Sequence, residues 1–322
     1  MPTQNEHRIV LDCKGIHKTF QDKRVLHNVN VQIAKGQIVA LVGPSGCGKS
    51  TLLKTVLGIL NTTNGAVLIS RNRVFHAIEG ASSDIGIVFQ SYGLMPFLTV
   101  EENVALGLDF MQTNLLDRIH GFMNPWSRWR TLRKQNIEQA RTVLKRLGLE
   151  KSLKLYPEDL SGGMRQRVSI AQAIITKPRI LLMDEPFGAL DEATRESLQN
   201  MLLEFYDENI RAVKNGLEPP YTILIVTHEL NEAIYVSDRI IGLSQYWDWK
   251  KADHKESPGA TVVYDKQAPI FRPGAVKDYE SFVTQRQEIH DVVFNERSLY
   301  LPDEHVTFWK QVAAGKAEGV LK

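Results

Sequence analysis

The run GPSGCGKST, Gly43 to Thr51, constrains this chain more than any other stretch. It follows an apolar segment, Ile38 to Val42, of the right length for a buried strand. It precedes Leu52, Leu53, Val56, Leu57 and Leu60, spaced at three and four residues as on one helix face. Strand, glycine loop and helix in that order give Gly-x-x-x-x-Gly-Lys-Ser/Thr its physical meaning. Gly43, Gly46 and Gly48 let the backbone turn tightly and bring its N–H groups against phosphate oxygens, with Pro44, Ser45 and Cys47 completing the loop. The following helix adds its positive N-terminal end. Lys49 is placed to neutralise β/γ-phosphate charge, and Ser50, beside Thr51, to set a hydroxyl on Mg²⁺. The expected cofactors are therefore ATP and Mg²⁺.

Three more apolar runs, Ile85 to Phe89, Ile180 to Met183 and Ile223 to Val226, suit strands of a parallel sheet covered on both faces. Met164, Val168, Ala171 and Ile175 again repeat at helical spacing. Strands alternating with helices predict an α/β layered domain. Arg8 to Ile33 reads as short antiparallel strands. Thr113 to Arg133 and Glu208 to Pro220 look like expansions, and Gly216, Pro219 and Pro220 make the second a predicted surface loop. After about Leu243 the chain turns aromatic (Tyr246, Trp247, Trp249, Tyr264, Phe271), with Pro258, Pro269 and Pro273 between.

Two further motifs fall where a phosphate site needs help. RILLMDEP, Arg179 to Pro186, is an apolar strand ending in two carboxylates. Ligand crevices of open α/β sheets lie at such carboxyl ends. Asp184 is expected to hold Mg²⁺ and Glu185 to polarise the attacking water as general base. LSGGMRQR, Leu160 to Arg167, places Ser161 as an N-cap before two glycines that local helix propensity would not choose. Gly162 and Gly163 make sense there if the first N–H groups must closely approach another molecule.

With the DEP strand downstream, LSGGMRQR resembles the signature motif of ABC-type ATPases, and the likeness covers roughly Arg8 to Leu243. It implies a P-loop NTPase ABC cassette with a mixed sheet core, an antiparallel β subdomain and a helical subdomain. The cassette would span 8–243, with the helical subdomain at about 91–175 and an insertion at about 113–133. A C-terminal extension would occupy 244–322. By the same resemblance Phe20 stacks on adenine, Gln90 reaches Mg²⁺ and senses a membrane partner, Asp191 lies in the D-loop, and His228 contacts the γ-phosphate. Two cassettes would face head to tail, so that Leu160, Ser161, Gly162, Gly163 and Met164 serve the ATP of the opposite subunit.

QSYGLMPFLTVEENVALGL, Gln90 to Leu108, and DEPFGALD look like importer ATPases, most of all the nitrate/sulfonate/taurine group. The tail SPGATVVYDKQAP, Ser257 to Pro269, is similar to that group's short extension. The resemblance implies a homodimer, or a heterodimer with a close relative, a permease docked in a groove near Gln90 to Leu98, and a substrate-binding protein in the same system. It implies a place on the cytoplasmic face of the inner membrane. An exporter or lipid-transport ATPase, or a soluble non-transport ABC ATPase, stand as alternatives. Thr113 to Arg133, with Phe122, Met123, Trp126 and Trp129, and the stretch Asp291 to Lys322 exceed the usual pattern. Composition narrows the choice. Thirty-nine basic against 37 acidic residues leave a net charge of +2, which advertises no nucleic-acid partner. Cys13 and Cys47 are the only cysteines, and Cys47 sits inside the phosphate loop, so a reducing compartment is expected and no disulfide. No stretch approaches the ~18 apolar residues of a membrane span, and MPTQNEHRIV lacks the pattern of a signal peptide.

Overall fold

The computed structural model describes residues 9–114, 117, 128–188, 190–269, 271, 278–297 and 299–315. Phe122, Met123 and Trp126 of the expected insertion, Ala189, Pro273 and the last seven positions lie outside the described residues.

Two sheets carry the fold. Strands β1 (Ile9–Phe20), β2 (Lys23–Ala34), β4 (Asn64–Arg71) and β5 (Val74–Ala77) form an antiparallel sheet in the order β2-β1-β4-β5. Strands β3 (Ile38–Val42), β6 (Ile85–Val88), β7 (Ile180–Asp184), β8 (Ile223–Val226), β9 (Arg239–Ser244) and β10 (Thr261–Gln267) form the second, in the order β10-β9-β3-β8-β7-β6. From β9 to β6 all neighbours run parallel; β10 is antiparallel to β9. Helix α1 (Lys49–Val56) follows β3. Helices α2 (Val100–Gln112), α3 (Arg128–Arg146) and α4 (Gly162–Ile174) fall between β6 and β7, α5 (Glu192–Lys214) between β7 and β8, and α6 (Leu230–Val236) between β8 and β9. The tail adds α7 (Tyr279–Ile289), a π turn over His290–Phe294, α8 (Pro302–His305) and α9 (Phe308–Ala313).

The unbroken apolar runs are explained by which face each residue takes. Leu181, Met183, Ile223 and Ile225 point into a core shared with the helices, while Ile180, Leu182, Leu224 and Val226 point into a core shared with α1 and the antiparallel sheet. Period-two alternation persists, but both faces are buried, so no polar residue marks it.

Three expectations need revision. The N-terminal strands are not short: β1 and β2 have 12 residues each, and register shifts along the pair absorb the turn residues, Gly15 at φ +54° among them. Glu208 to Lys214 is helix, leaving only 215–220 as the loop. Asn209 holds the helix there: fully buried, it donates to the carbonyls of Gly36 (2.9 Å) and Tyr221 (2.7 Å) and accepts from the Tyr221 N–H (2.9 Å). The tail aromatics are core rather than appendix. Trp247, Tyr264 and Phe271 are buried with Ala40, Val42 and Ile240, and Trp247 Nε1 donates to the Gly259 carbonyl at 3.0 Å. Leu243 lies within β9, and β10 beyond it belongs to the same sheet.

Candidate functional site: an ATP cassette

Parallel strands in the order β3-β8-β7-β6 deliver four loops to one edge of the sheet. The loop after β3 holds Gly43 to Gly48. The buried Lys49 ammonium donates to the carbonyls of Gly43 (2.6 Å) and Pro44 (3.1 Å), which curls the loop around it. Two glycines are needed for space. A Cβ on Gly43 would lie 2.1 Å from the Leu243 carbonyl oxygen, and one on Gly48, at φ +103°, 2.8 Å from Leu26 Cδ2. Gly46, at φ +78°, has open space and is needed for its backbone angle alone. Ser45 and Ser50 are exposed, and Pro44 and Thr51 half-buried. Cys47 is buried and unbridged, as is Cys13; burial pushes the Cys47 thiol up, with Lys49 partly opposing.

Asp184 ends β7 half-buried, and its carboxyl is pushed above the usual range by burial first and the neighbouring Glu185 second. Glu185 takes φ +47°, a left-handed backbone that costs a non-glycine residue about 1–3 kcal/mol. Its N–H is tied to the Val226 carbonyl at 2.8 Å. The strain aims the carboxylate between two partners: His228 Nδ1 at 3.0 Å from Oε1 and Gln90 Nε2 at 3.3 Å from Oε2. With Glu185 ionised, that contact places the imidazole proton on Nδ1. A carboxylate held at both oxygens thus lies beside a second, half-buried one whose proton affinity burial raises, at the sheet edge that also carries the Lys49 ammonium.

The remaining expected residues stand elsewhere. Phe20 is 41 % exposed at the end of β1, with the Lys18 ammonium 4.9 Å from its ring centre. Val25 and Leu26 of β2, which the sequence reading did not single out, are the hairpin residues that meet Gly48. Ser161 caps α4 by accepting from the Met164 N–H at 3.3 Å, Leu160 is buried behind it, and no hydrogen bond joins Ser161 to the phosphate loop among the described residues. Gly162 is half-buried and Met164 packs on the helical core. Gly163 has a reason inside its own chain: a Cβ there would lie 1.9 Å from Thr194 Cγ2. Close approach is what the glycine permits, and at Gly163 the neighbour is Thr194 of α5. Asp191 caps α5, accepting from the Thr194 N–H (3.0 Å) and hydroxyl (2.8 Å), which holds its carboxyl below the usual range.

Beside Gln90 the chain from Tyr92 to Leu98 forms a braced surface. Asn103, fully buried, accepts from the Met95 N–H (2.7 Å) and donates to the carbonyls of Met95 (3.0 Å), Leu98 (2.9 Å) and Thr99 (3.1 Å). Ser169 donates to the Tyr92 carbonyl at 2.7 Å. Phe97 is left 72 % exposed at the crest. Nothing in the ENVALGL segment distinguishes Asn103 from a surface asparagine.

A phosphate loop, a carboxylate pair and a histidine on one sheet edge, with a glycine helix capped by Ser161, define a P-loop ATPase of cassette form. The ABC transporter family model matches residues 26–188. The chain is 34% identical over 299 residues to the taurine import ATP-binding protein TauB of Escherichia coli O157:H7, covering 90% of this chain and 100% of that protein. It is 41% identical over 221 residues to the aliphatic sulfonates import ATP-binding protein SsuB of Bacillus anthracis, covering 69% of this chain and 74% of that one. Among solved structures it superposes on the dimeric structure of MJ0796, a bacterial ABC transporter cassette, with TM-score 0.57 and 29% identity, over 81% of this chain and 100% of the other. The protein belongs to the ABC transporter family and is its ATP-binding, ATP-hydrolysing cassette. No helix among the described residues is long and apolar enough to cross a membrane.

Proposed function

We propose that this cassette is the energy-coupling subunit of an importer for a small solute of the sulfonate or taurine kind. It would work as a head-to-tail pair on the cytoplasmic face of the inner membrane. The observation that carries the reading is the convergence of Lys49, Asp184, Glu185 and His228 at one sheet edge, with Ser161 standing apart from them. A site built this way lacks one wall, and a second subunit's Ser161–Gly163 segment supplies it.

Each role follows from the contacts. The phosphate-loop amides and Lys49 hold the phosphates, and Phe20 offers an exposed ring to adenine. Glu185 takes the proton of the attacking water, with His228 and Gln90 keeping both of its oxygens in place. Mg²⁺ fits the donors present: the exposed Ser50 hydroxyl, the Asp184 carboxylate and the Gln90 amide oxygen. When bound it would neutralise phosphate charge. Asp191 sits at the start of α5, where a partner subunit would be met.

The exposed Phe97 and the braced loop Tyr92 to Leu98 suit a groove for a permease helix, next to the Gln90 that contacts Glu185. Import is supported by the names of the relatives, the taurine protein's likeness covering 90% of this chain. A substrate-binding protein would complete such a system.

The reading is tested on tagged full-length protein recovered from detergent-solubilised membranes. A multi-span permease should co-purify, and Glu185→Gln should bind ATP while turnover falls at least about a hundredfold. Recovery of ribosomes or DNA, or a Glu185→Gln protein with normal turnover, would refute it.

A further inference from the structure

The helices that follow His228 and Asp191 are joined by a contact that the hydrolytic chemistry does not use. Glu232, in the first turn of α6, is 8% exposed, and its two carboxylate oxygens go to different elements. Oε1 lies 3.3 Å from Arg195 Nε on α5. Oε2 accepts from the Thr227 hydroxyl at 3.3 Å, and that hydroxyl in turn accepts from the Glu229 N–H at 3.0 Å. The backbone is thus gripped on both sides of His228. Arg195 reaches the other way as well: its Nη2 donates to the carbonyl of Leu190, the residue before Asp191, at 3.2 Å. One residue earlier, Thr194 gives its N–H and hydroxyl to Asp191 and lays its methyl on Gly163.

We propose that Arg195 and Glu232 are positioning residues, which hold His228 at a fixed separation from Asp191 and, through Thr194, from the Gly163 end of α4. An ordinary helix-to-helix ion pair would have both charges satisfied by each other. Here each partner spends its second contact on the backbone or hydroxyl next to a site residue. The inference rests on the head-to-tail reading above. There His228 serves the subunit's own ATP and Ser161 to Gly163 the opposite one, so an ion pair within one chain couples the closing of the two ATP sites.

The test measures steady-state hydrolysis against ATP concentration for the full chain. Arg195→Met and Glu232→Gln should each lower kcat about ten- to a hundredfold and drive the Hill coefficient toward one. ATP affinity should stay near wild type in both, and the thermal midpoint in Glu232→Gln, which leaves behind only the 40% exposed Arg195 charge. The double variant should be no slower than the slower single one, because both remove the same link. Arg195→Lys should recover most of the loss. Unchanged kcat and cooperativity in both single variants would overturn the proposal. So would a fall in kcat matched by loss of ATP binding or of folded protein, which is what a purely structural pair predicts. Ser161→Arg, assayed alongside, separates the two levels. If it turns over normally, the two-subunit reading itself fails. If it is inactive while Arg195→Met keeps full cooperative turnover, only the link fails.

Discussion

Gly163 shows how one missing side chain can be read two ways. By helix propensity an alanine would be better there by about 1 kcal/mol. Against that stands a Cβ placed 1.9 Å from Thr194 Cγ2, on a side chain whose hydroxyl is held by Asp191. Overpacking of this kind costs about 1–3 kcal/mol, so the overlap wins. Gly163→Ala should lower the thermal midpoint by several degrees and, by shifting α4 from α5, impair turnover. Adding Thr194→Ser should restore much of both, since serine keeps the hydroxyl that caps with Asp191 and lacks the clashing methyl. Differential scanning calorimetry and an ATPase assay check both. The glycine pair stood out in the sequence because local propensity argued against it. Its partner Thr194 did not, because it comes 31 positions later and looks like any residue of an exposed helix start. Lys49, Asp184, Glu185 and His228 were legible for the opposite reason: each lies at or just beyond the carboxyl end of an apolar strand, Lys49 through the glycine loop, so chain order alone placed them at the sheet edge.

At the level of elements, the loop from Met95 to Leu98 depends on a residue in the helix after it. Asn103 is fully buried and makes four hydrogen bonds to that loop and to Thr99. Asn103→Ala removes the side-chain partner of the Met95 N–H and of the Leu98 carbonyl, at a cost of about 1–3 kcal/mol for a buried group left unpaired. Hydrolysis by the isolated cassette should be little changed, since Asn103 touches none of Lys49, Glu185 or His228. Co-purification with the permease should fall, and amide exchange at Met95 to Leu98 should quicken. Unchanged exchange there would contradict the bracing role. The same scale is where sequence reading was weakest. Glu208 to Lys214 was expected as loop because prolines and a glycine follow it, yet Asn209 anchors that turn of helix to Gly36 and Tyr221. Both buried asparagines act through tertiary partners, which a local window does not contain.

For the molecule as a whole, the tail is tied to the cassette by a buried ion pair. Arg239 of β9 and Asp265 of β10 meet through two bonds of 2.7 Å, and Arg239 is fully buried. The guanidinium also donates to the Gln32 carbonyl at 2.7 Å and lies 4.0 Å from the ring centre of Phe308. It therefore joins the antiparallel sheet, the central sheet and the C-terminal helix. Arg239→Met would strand the Asp265 charge, and breaking such a pair costs about 3–5 kcal/mol. The double variant Arg239→Met/Asp265→Leu should regain most of that, because two apolar groups replace two charges. Chemical denaturation of the three proteins measures the difference. A small loss in the single variant would mean that the tail is held by its apolar contacts alone.

The strand order has a consequence for scale. Neighbouring strands sit about 4.8 Å apart, so the phosphate loop on β3 and the acidic pair on β7, two strands away, have roots separated by roughly 10 Å. His228 hangs from the strand between. The sheet is a ruler: backbone hydrogen bonds, not side-chain packing, set the gap in which a polyphosphate and its attacking water must fit. Gln90 lies one graduation further out, two residues past the end of β6, where the ruler meets the Tyr92 to Leu98 surface. A partner that shifted that outer mark would change what the ruler measures without touching the nucleotide.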